Sequence, residues 1–242
     1  MCLIVVGVGA SARHPLLVAA NRDEQHARPT LAAAWWQDAP QVLGGRDLAA
    51  GGTWLAIDDR GRFAAVTNIR DPQRPLALSS RGALVADFLT DGHSAAQYVA
   101  RVVQGGAAFG AFNLLLFDGR ELHFASNRAP AARLAIGLHV FSNAPPGTEW
   151  PKTATALHGA AALLENAAPV EPLFELLARR ADGYEPERRV ERAHFVVGPT
   201  YGTRCSTVVL VAADGHVTFA ERTFDAAGAL TGEVRETFVL RP

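Results

Sequence analysis

Short runs of aliphatic and β-branched residues, separated by turn signals, are the feature of this sequence that most restricts its fold. Each run has the length of one strand, and the connections between paired runs are short and contain Gly, Asp or Pro, which favours antiparallel hairpins. The predicted strand pairs are residues 2–8 with 16–20, 53–57 with 62–67, 112–117 with 121–125, and 207–211 with 216–221. The chain is therefore expected to contain mainly antiparallel sheet.

Helical periodicity falls between these hairpins and occurs in pairs. The predicted helices are residues 79–89 and 95–103 in the first half, and 152–165 and 172–181 in the second. Hairpins with inserted helix pairs favour separate α and β layers over an alternating βαβ order. We predict an α+β fold, a four-layer αββα sandwich of two packed antiparallel sheets flanked by helices, in a single domain over residues 1–242.

Charge and cysteine content exclude several classes of protein. The 242 residues include 23 basic and 24 acidic side chains, so no basic excess marks a binder of nucleic acid or anionic membranes. No apolar stretch reaches the roughly 20 residues of a membrane-spanning helix, and no basic segment precedes the first apolar run, as an export signal requires. Only Cys2 and Cys205 carry thiols, too few for a disulfide framework. We expect a cytoplasmic protein.

Cys2 is the first candidate for chemistry. If Met1 is removed, Cys2 carries both a thiol and a free α-amine, a nucleophile with its own general base. In model peptides the amine titrates at about 7.7–8.0 and the thiol at about 8.5, so proton transfer between them is matched near neutral pH. The alternative is a small apolar residue at the start of a strand, because cysteine is among the residue types most often buried.

The densest polar cluster, Asn21-Arg22-Asp23-Glu24, directly follows the predicted strand 16–20. Four consecutive polar residues at a strand end are not all expected to be buried, and a solvated turn is one interpretation. The other is a charged cradle beside Cys2, because an antiparallel partner of strand 2–8 runs back toward the chain start. There an arginine would lower the pKa of the thiol, and an aspartate could hold the α-ammonium.

Several motifs together carry a resemblance to a known family. They are Met1-Cys2, Asn21-Arg22-Asp23-Glu24, Gly51-Gly52-Thr53-Trp54-Leu55, Thr67-Asn68-Ile69-Arg70, Ser142-Asn143 and Tyr201-Gly202-Thr203-Arg204. As a set they resemble the NRDE family, the transport-and-Golgi-organisation group, over essentially the whole chain. That family is similar to N-terminal-nucleophile hydrolases, whose layers are αββα. Its nearest enzymatic relatives are the choloylglycine hydrolases and penicillin V acylases, which cleave the amide bond of N-acyl compounds.

The resemblance implies a role for six residues. It makes Cys2 the nucleophile and Arg22 and Asp23 its flanking arginine and aspartate, although here the two are adjacent and, in an extended strand, point to opposite faces. It further implies that Asn68 is an oxyanion donor, Asn143 a second active-site asparagine and Arg204 a supporting arginine from a late strand. The alternatives are that the asparagines satisfy local backbone groups and that Arg204 pairs with Asp23 or Glu24.

Substrate contacts are assigned to Trp36, Trp54 and Arg70. For Trp36 the alternatives are anchoring at the surface and packing in the core, and for Trp54 the alternative is packing beside a tight turn. The segment Gly51-Gly52-Thr53-Trp54 lacks the context of a phosphate-binding loop and is expected to form a tight turn. The eight histidines are scattered, so no metal site is predicted.

Two functions stand against each other. The first is an N-terminal-nucleophile hydrolase or acyltransferase that attacks the amide or thioester bond of a small acylated compound, without a cofactor. The second, also implied by the family, is a non-catalytic protein that handles a hydrophobic ligand, in haem trafficking or in lipid and acyl-CoA homeostasis. In that case Cys2 would be a thiolate ligand of haem, a redox sensor or a feature of the fold.

Overall fold

The strands of the chain form two separate antiparallel sheets. The structure, a computed structural model, describes residues 2–69, 79–165, 170–181 and 191–241. It divides into two compact units. The first unit comprises Met1–Ala27, Ile136–Ser142 and Gly147–Val239, and the second Arg28–Ala135, Asn143–Pro146 and Leu240–Pro242.

The first unit contains a six-stranded sheet with a pair of helices on one face. Its strands are β1 (Leu3–Val8), β2 (Leu16–Gln25), β10 (Gly137–Phe141), β11 (Tyr201–Val211), β12 (His216–Phe224) and β13 (Leu230–Val239), in the order β10-β1-β2-β11-β12-β13. Its helices are α3 (Pro151–Glu165) and α4 (Val170–Leu177). The apolar core joins alternate residues of the strands to the helices, among them Leu3, Leu17, Ala19, Ala156, Leu173 and Leu177.

The second unit contains a seven-stranded sheet covered by another helix pair. Its strands run in the order β3 (Thr30–Trp35), β4 (Val42–Asp47), β5 (Leu55–Asp58), β6 (Phe63–Asn68), β7 (Phe112–Phe117), β8 (Leu122–Ser126) and β9 (Ala132–Arg133). Its helices are α1 (Arg81–Asp91) and α2 (Ala95–Gly105). Ser80 caps the start of α1, and Ser94 and Gln97 form a capping box on α2.

The predicted turn at Gly51 and Gly52 is confirmed. Both residues have positive φ angles, 71° and 73°, which glycine adopts without steric cost. A Cβ atom at Gly52 would collide with the carbonyl oxygen of Gly82 in the first turn of α1. This glycine pair therefore lets the β4–β5 connection pass close to the helix.

The predicted α+β class is confirmed, with two antiparallel sheets and a helix pair for each. All four predicted hairpins form, and the four predicted helices match observed ones within a few residues at each end. Strands β3, β4, β9, β10 and β13 were not predicted. None of the helices within the described ranges has the length and apolar character needed to cross a membrane.

Candidate active site

Cys2 lies at the head of β1, buried in the first unit, with 8% of its surface exposed. The register of β1 on β2 pairs Leu3 with Asn21, and continuing it by one residue sets Cys2 opposite Arg22. On the other side of β2, Arg22 pairs with Cys205 of β11. Residues opposite each other in an antiparallel sheet share a face, so the arginine lies between the two cysteines.

The motif Asn21-Arg22-Asp23-Glu24 is part of β2, and the expectation that it ends the strand is wrong. Asn21, Arg22 and Asp23 are all buried, and only Glu24 is half-buried. The strand continues because β11 begins at Tyr201, six residues before its predicted start, and pairs with β2 as far as Gln25. The neighbouring strand satisfies the backbone, and each polar side chain finds its own partners.

Asn21 is a structural cross-link. Its Nδ2 donates to the carbonyl oxygens of Leu177 at 2.9 Å and His194 at 2.8 Å, and its Oδ1 accepts from Ser206 Oγ at 2.6 Å. These bonds tie β2 to the end of α4 and to the segment before β11. They fix the strand that carries Arg22 and Asp23.

Asp23 is oriented by Thr203 across a β-bulge in β11. The register pairs Asp23 with Thr203 and Arg22 with Cys205, so Arg204 is the extra residue. Thr203 Oγ1 donates to Asp23 Oδ1 at 2.7 Å and accepts from the backbone N–H of Val196 at 2.9 Å. In a regular strand, Thr203 and Cys205 would lie on the same face of the sheet. Because of the bulge, Thr203 shares a face with Asp23, and Cys205 shares the opposite face with Arg22.

Arg204, at the bulge, lies over the end of β2. Its Nη1 donates to the carbonyl oxygens of Gln25 at 3.0 Å and His26 at 3.1 Å. Arg22, in turn, approaches Glu24 at 3.8 Å between Nη2 and Oε2. The structure thus brings Cys2, Arg22, Asp23 and Arg204 into one region of the first unit.

The two predicted asparagines lie together in the second unit. Asn143 is buried, and its Nδ2 donates to the backbone carbonyl of Asn68, the last residue of β6. The side chain of Asn68 is exposed, and Asn113 Nδ2 donates to the carbonyl oxygen of Ala144 at 3.0 Å, which holds the loop that carries Asn143.

Of the residues assigned to substrate, Trp36 belongs to the core of the second unit. It is 6% exposed, its indole N–H donates to the Gly44 carbonyl at 2.9 Å, and the Arg46 guanidinium lies 4.1 Å from its ring centroid. Trp54 is half-buried just before β5, and Arg70 lies outside the described residues. Over the described ranges, no group of three or more His, Cys, Asp and Glu side chains is arranged to hold a metal ion.

Comparison with known proteins agrees with the motifs. The model of the family described as "Transport and Golgi organisation 2" matches residues 1–226. The chain belongs to this family. It is 35% identical over 241 residues to the Transport and Golgi organization protein 2 homolog of Bos taurus and 34% identical over 236 residues to that of Homo sapiens. In both comparisons 86% of each chain is covered.

The fold of this family member is similar to that of N-terminal-nucleophile hydrolases. A cysteine-to-alanine mutant of conjugated bile acid hydrolase from Clostridium perfringens superposes with a TM-score of 0.55 at 10% identity, covering 98% of this chain and 96% of the hydrolase. A second variant of that enzyme gives a TM-score of 0.52, also at 10% identity, covering 100% of this chain and 97% of the hydrolase. At this identity the likeness concerns the fold alone.

Burial has the largest effect on the pKa values of Cys2 and Asp23. It raises the pKa of the Cys2 thiol, and Asp23 acts in the same direction, whereas Arg22 and a backbone hydrogen bond from Asp23 favour the thiolate. Burial likewise raises the pKa of the Asp23 carboxyl, against the effects of Lys152, the Thr203 hydroxyl and Arg22. A thiolate at Cys2 is therefore stable only if positive charges such as that of Arg22 remain close to the sulfur.

The sequence reasoning did not identify Lys152, although it is the only lysine among 23 basic residues. It is the second residue of α3 and is 0% exposed. Among the described residues, its Nζ has no hydrogen-bond partner. The signal in the sequence was that every other residue among the 23 is arginine, so the single lysine is unusual. The spacing of motifs does not contain this signal.

Proposed function

We propose that Cys2, made N-terminal by removal of Met1, is the nucleophile of a hydrolase or acyltransferase that acts on the amide or thioester bond of a small acylated compound. One observation carries the proposal: Cys2 is buried at the head of a central strand, beside two buried ionisable residues of the neighbouring strand, Arg22 and Asp23. A cysteine that only fills space needs no such neighbours, because burying charged groups costs free energy.

The proposed reaction uses the groups that Cys2 itself carries. The α-amine accepts the thiol proton while the sulfur attacks the carbonyl carbon, forming a C–S bond and an oxyanion. Collapse of this intermediate breaks the C–N or C–S bond to the leaving group, which takes the proton from the α-ammonium. Water, or an acceptor amine or thiol, then attacks the thioester and releases Cys2.

Arg22 would act on the thiol of Cys2, and Asp23 would act on its α-amine. Arg22 faces the thiol side and opposes the effect of burial on Cys2. Asp23, fixed by the Thr203 hydroxyl, supplies a carboxylate for the α-ammonium. The hydrolase of similar fold has a cysteine at the second position of its own chain, the residue that its cysteine-to-alanine mutant replaces, and this supports the choice of Cys2 as the nucleophile.

The resemblance adds Asn68 as the side-chain donor to the oxyanion. Loss of one such donor typically lowers turnover by about 10²–10³-fold. We therefore expect Asn68→Ala to reduce the rate of acyl-enzyme formation by that factor without a change in stability, because the Asn68 side chain is exposed. Stopped-flow kinetics with an activated acyl ester measures this rate, and an unchanged rate would remove Asn68 from the mechanism.

Intact-mass spectrometry tests the proposal. The purified protein, first shown to lack Met1, is mixed with p-nitrophenyl esters of increasing acyl length. We expect one added acyl group on Cys2, released by neutral hydroxylamine as a thioester would be. Cys2→Ala should abolish the adduct.

Cys205→Ala is the matched control, since Cys205 is a second buried free thiol on the other side of Arg22. It should retain the adduct. Retained Met1, or an unmodified Cys2 under all these conditions, would contradict the proposal and favour the ligand-handling alternative.

A further inference from the structure

Lys152 is buried against the site proposed above. Its side chain has no exposed surface, and no hydrogen bond within the described residues satisfies its Nζ. The centroid of the Trp150 ring lies 5.3 Å from Nζ. A buried amine without a hydrogen bond is costly, and its position in the first turn of a helix adds an unfavourable dipole to any positive charge.

The charges that act on this amine come mainly from the site. Asp23 and Cys2 both favour the charged ammonium, and Glu191 does so as well. Burial acts in the opposite direction and lowers the pKa of Lys152. Arg22, at the neighbouring position of β2, shares a face of the sheet with Cys2 and acts on Asp23 from the opposite face.

His194 also lies beside Lys152 but contributes no negative charge. Its Nδ1 lies 2.7 Å from the carbonyl oxygen of Leu176, so it must donate there, and its Nε2 lies 2.9 Å from Thr155 Oγ1, from which the neutral ring accepts. Burial, Arg179 and Lys152 lower the pKa of His194. The histidine is therefore neutral, and Asp23 has the largest effect among the negative charges that favour the ammonium form of Lys152.

We propose that Lys152 is a positioning residue of the Cys2 site, whose buried amine holds the Asp23 carboxylate in its charged form and through it the reactive protonation state of Cys2. This inference rests on the proposed function. With Lys152 charged, Asp23 stays an anion in spite of its burial and can accept a hydrogen bond from the α-ammonium of Cys2. Without the lysine, Asp23 takes up a proton and the nucleophile loses its partner.

The single lysine makes the first test direct. Protein labelled with [¹³Cε]-lysine gives one side-chain resonance, whose pH titration reports Lys152 alone. We expect a midpoint below the ordinary value of about 10.4, lowered further, by about one pH unit, in Asp23→Asn. Equal midpoints in the wild type and Asp23→Asn would show that the amine does not sense the carboxylate and would overturn the proposal.

The second test measures Cys2 itself. Initial rates of alkylation by iodoacetamide, followed at the Cys2 peptide by mass spectrometry, give a pH profile for the thiol. In Lys152→Met we expect the profile to move down by about one pH unit, which is about tenfold faster alkylation below the midpoint, because an uncharged Asp23 no longer raises the pKa of the thiol. An unchanged profile would overturn the positioning role.

Two controls separate this effect from structural damage. Lys152→Met keeps most of the length of the side chain but removes one of two buried, interacting charges, which can destabilise the fold; urea unfolding measures this effect. Thr153→Ala alters the next residue of α3, whose hydroxyl bonds the Trp150 carbonyl at 2.7 Å, and should change neither readout. If Lys152→Met fails to fold, the titration of the Lys152 resonance in the wild type and in Asp23→Asn still tests the proposal.

Neither test requires a substrate, so the two proposals fail separately. Acyl transfer to Cys2 together with a profile indifferent to Lys152→Met would refute the lysine's role and leave the proposed function intact. A profile that depends on Lys152, with no acyl adduct on Cys2 from any ester, would refute the proposed function alone.

Discussion

Adjacent residues of β2 work on opposite faces of one sheet, and this decides what each can contribute to the Cys2 site. Asn21 and Asp23 lie on the face that carries α3 and α4, since Asn21 bonds the end of α4 and Asp23 senses Lys152 of α3. Arg22 lies on the other face, in line with Cys205. Cys2, at the end of the neighbouring strand, is within reach of charges from both.

Thr203 offers the sharpest prediction for a single residue. Thr203→Val keeps the shape of the side chain but leaves both the Asp23 carboxylate and the Val196 N–H without its hydroxyl. We expect a loss of about 1–3 kcal/mol in the free energy of unfolding, measured with urea. Thr218→Val, at a half-buried position of β12, should cost less than about 0.5 kcal/mol. Equal losses of unfolding free energy in Thr203→Val and Thr218→Val would show that the hydrogen bonds of the Thr203 hydroxyl do not stabilise the fold.

Strand alternation was enough to predict from sequence that Arg22 and Asp23 diverge, but it could not predict how Asp23 is held. That depends on the bulge at Arg204, which exists only because two strands far apart in the chain pair with unequal residue counts. Lys152 was missed for a related reason. Its burial depends on where α3 packs, which hydrophobic periodicity within the helix does not determine.

At the scale of elements, the hairpin of β5 and β6 contains a carboxylate whose titration is linked to folding. Asp58 is 2% exposed, and its Oδ1 accepts the backbone N–H groups of Arg60 at 3.0 Å and Arg62 at 2.8 Å. Burial nevertheless raises the pKa of Asp58 to about 6. The folded state therefore keeps a proton that the unfolded chain, with a pKa of about 3.9, has already released.

This shift predicts the sign of a pH effect. The contribution of Asp58 to stability is fully present below about pH 4 and is lost as the pH rises through about 6. We expect the wild type to lose about 2 kcal/mol relative to Asp58→Asn between pH 4 and pH 7, in urea unfolding at matched ionic strength. A difference between the two proteins that stays constant over this range would contradict the shift.

The composition of several unpredicted strands does not indicate a strand. Strand β3 contains three alanines in succession and β4 two glycines, and both residue types are depleted in strands. Strand β13 lies at the edge of its sheet and carries charged residues, so its apolar pattern is weak. Strand β2 appeared to end at Ala20 because Asn21, Arg22 and Asp23 find their partners only in the tertiary structure.

At the scale of the whole molecule, pairings between distant segments build the sheet that carries the candidate site. Strand β1 pairs with β10, and β2 pairs with β11, although more than a hundred residues separate the partners in each case. The hairpins were predictable because turn chemistry is local. These long-range pairings were not, and the expectation of one domain over residues 1–242 stays a prediction beside the two compact units.

The same topology predicts where the first unit is most rigid. Strand β2 is hydrogen-bonded on both sides, and all residues from Leu16 to Asp23 are buried, whereas β13 has one partner and is largely exposed. Native-state hydrogen exchange should therefore be at least about a hundredfold slower at β2 amides than at the β13 amides that bond β12, a difference of about 2.7 kcal/mol in opening free energy.

Slow exchange at Arg22 and Asp23 in particular would mean that the groups flanking Cys2 are held in place before any ligand arrives, as preorganised catalysis requires. Exchange of β2 as fast as that of β13 would mean instead that the strand opens locally. Asn21→Ala gives the matched comparison, because it removes the cross-link to Leu177, His194 and Ser206 without touching a charged group. Its exchange at Arg22 and Asp23 should rise while that of β13 does not.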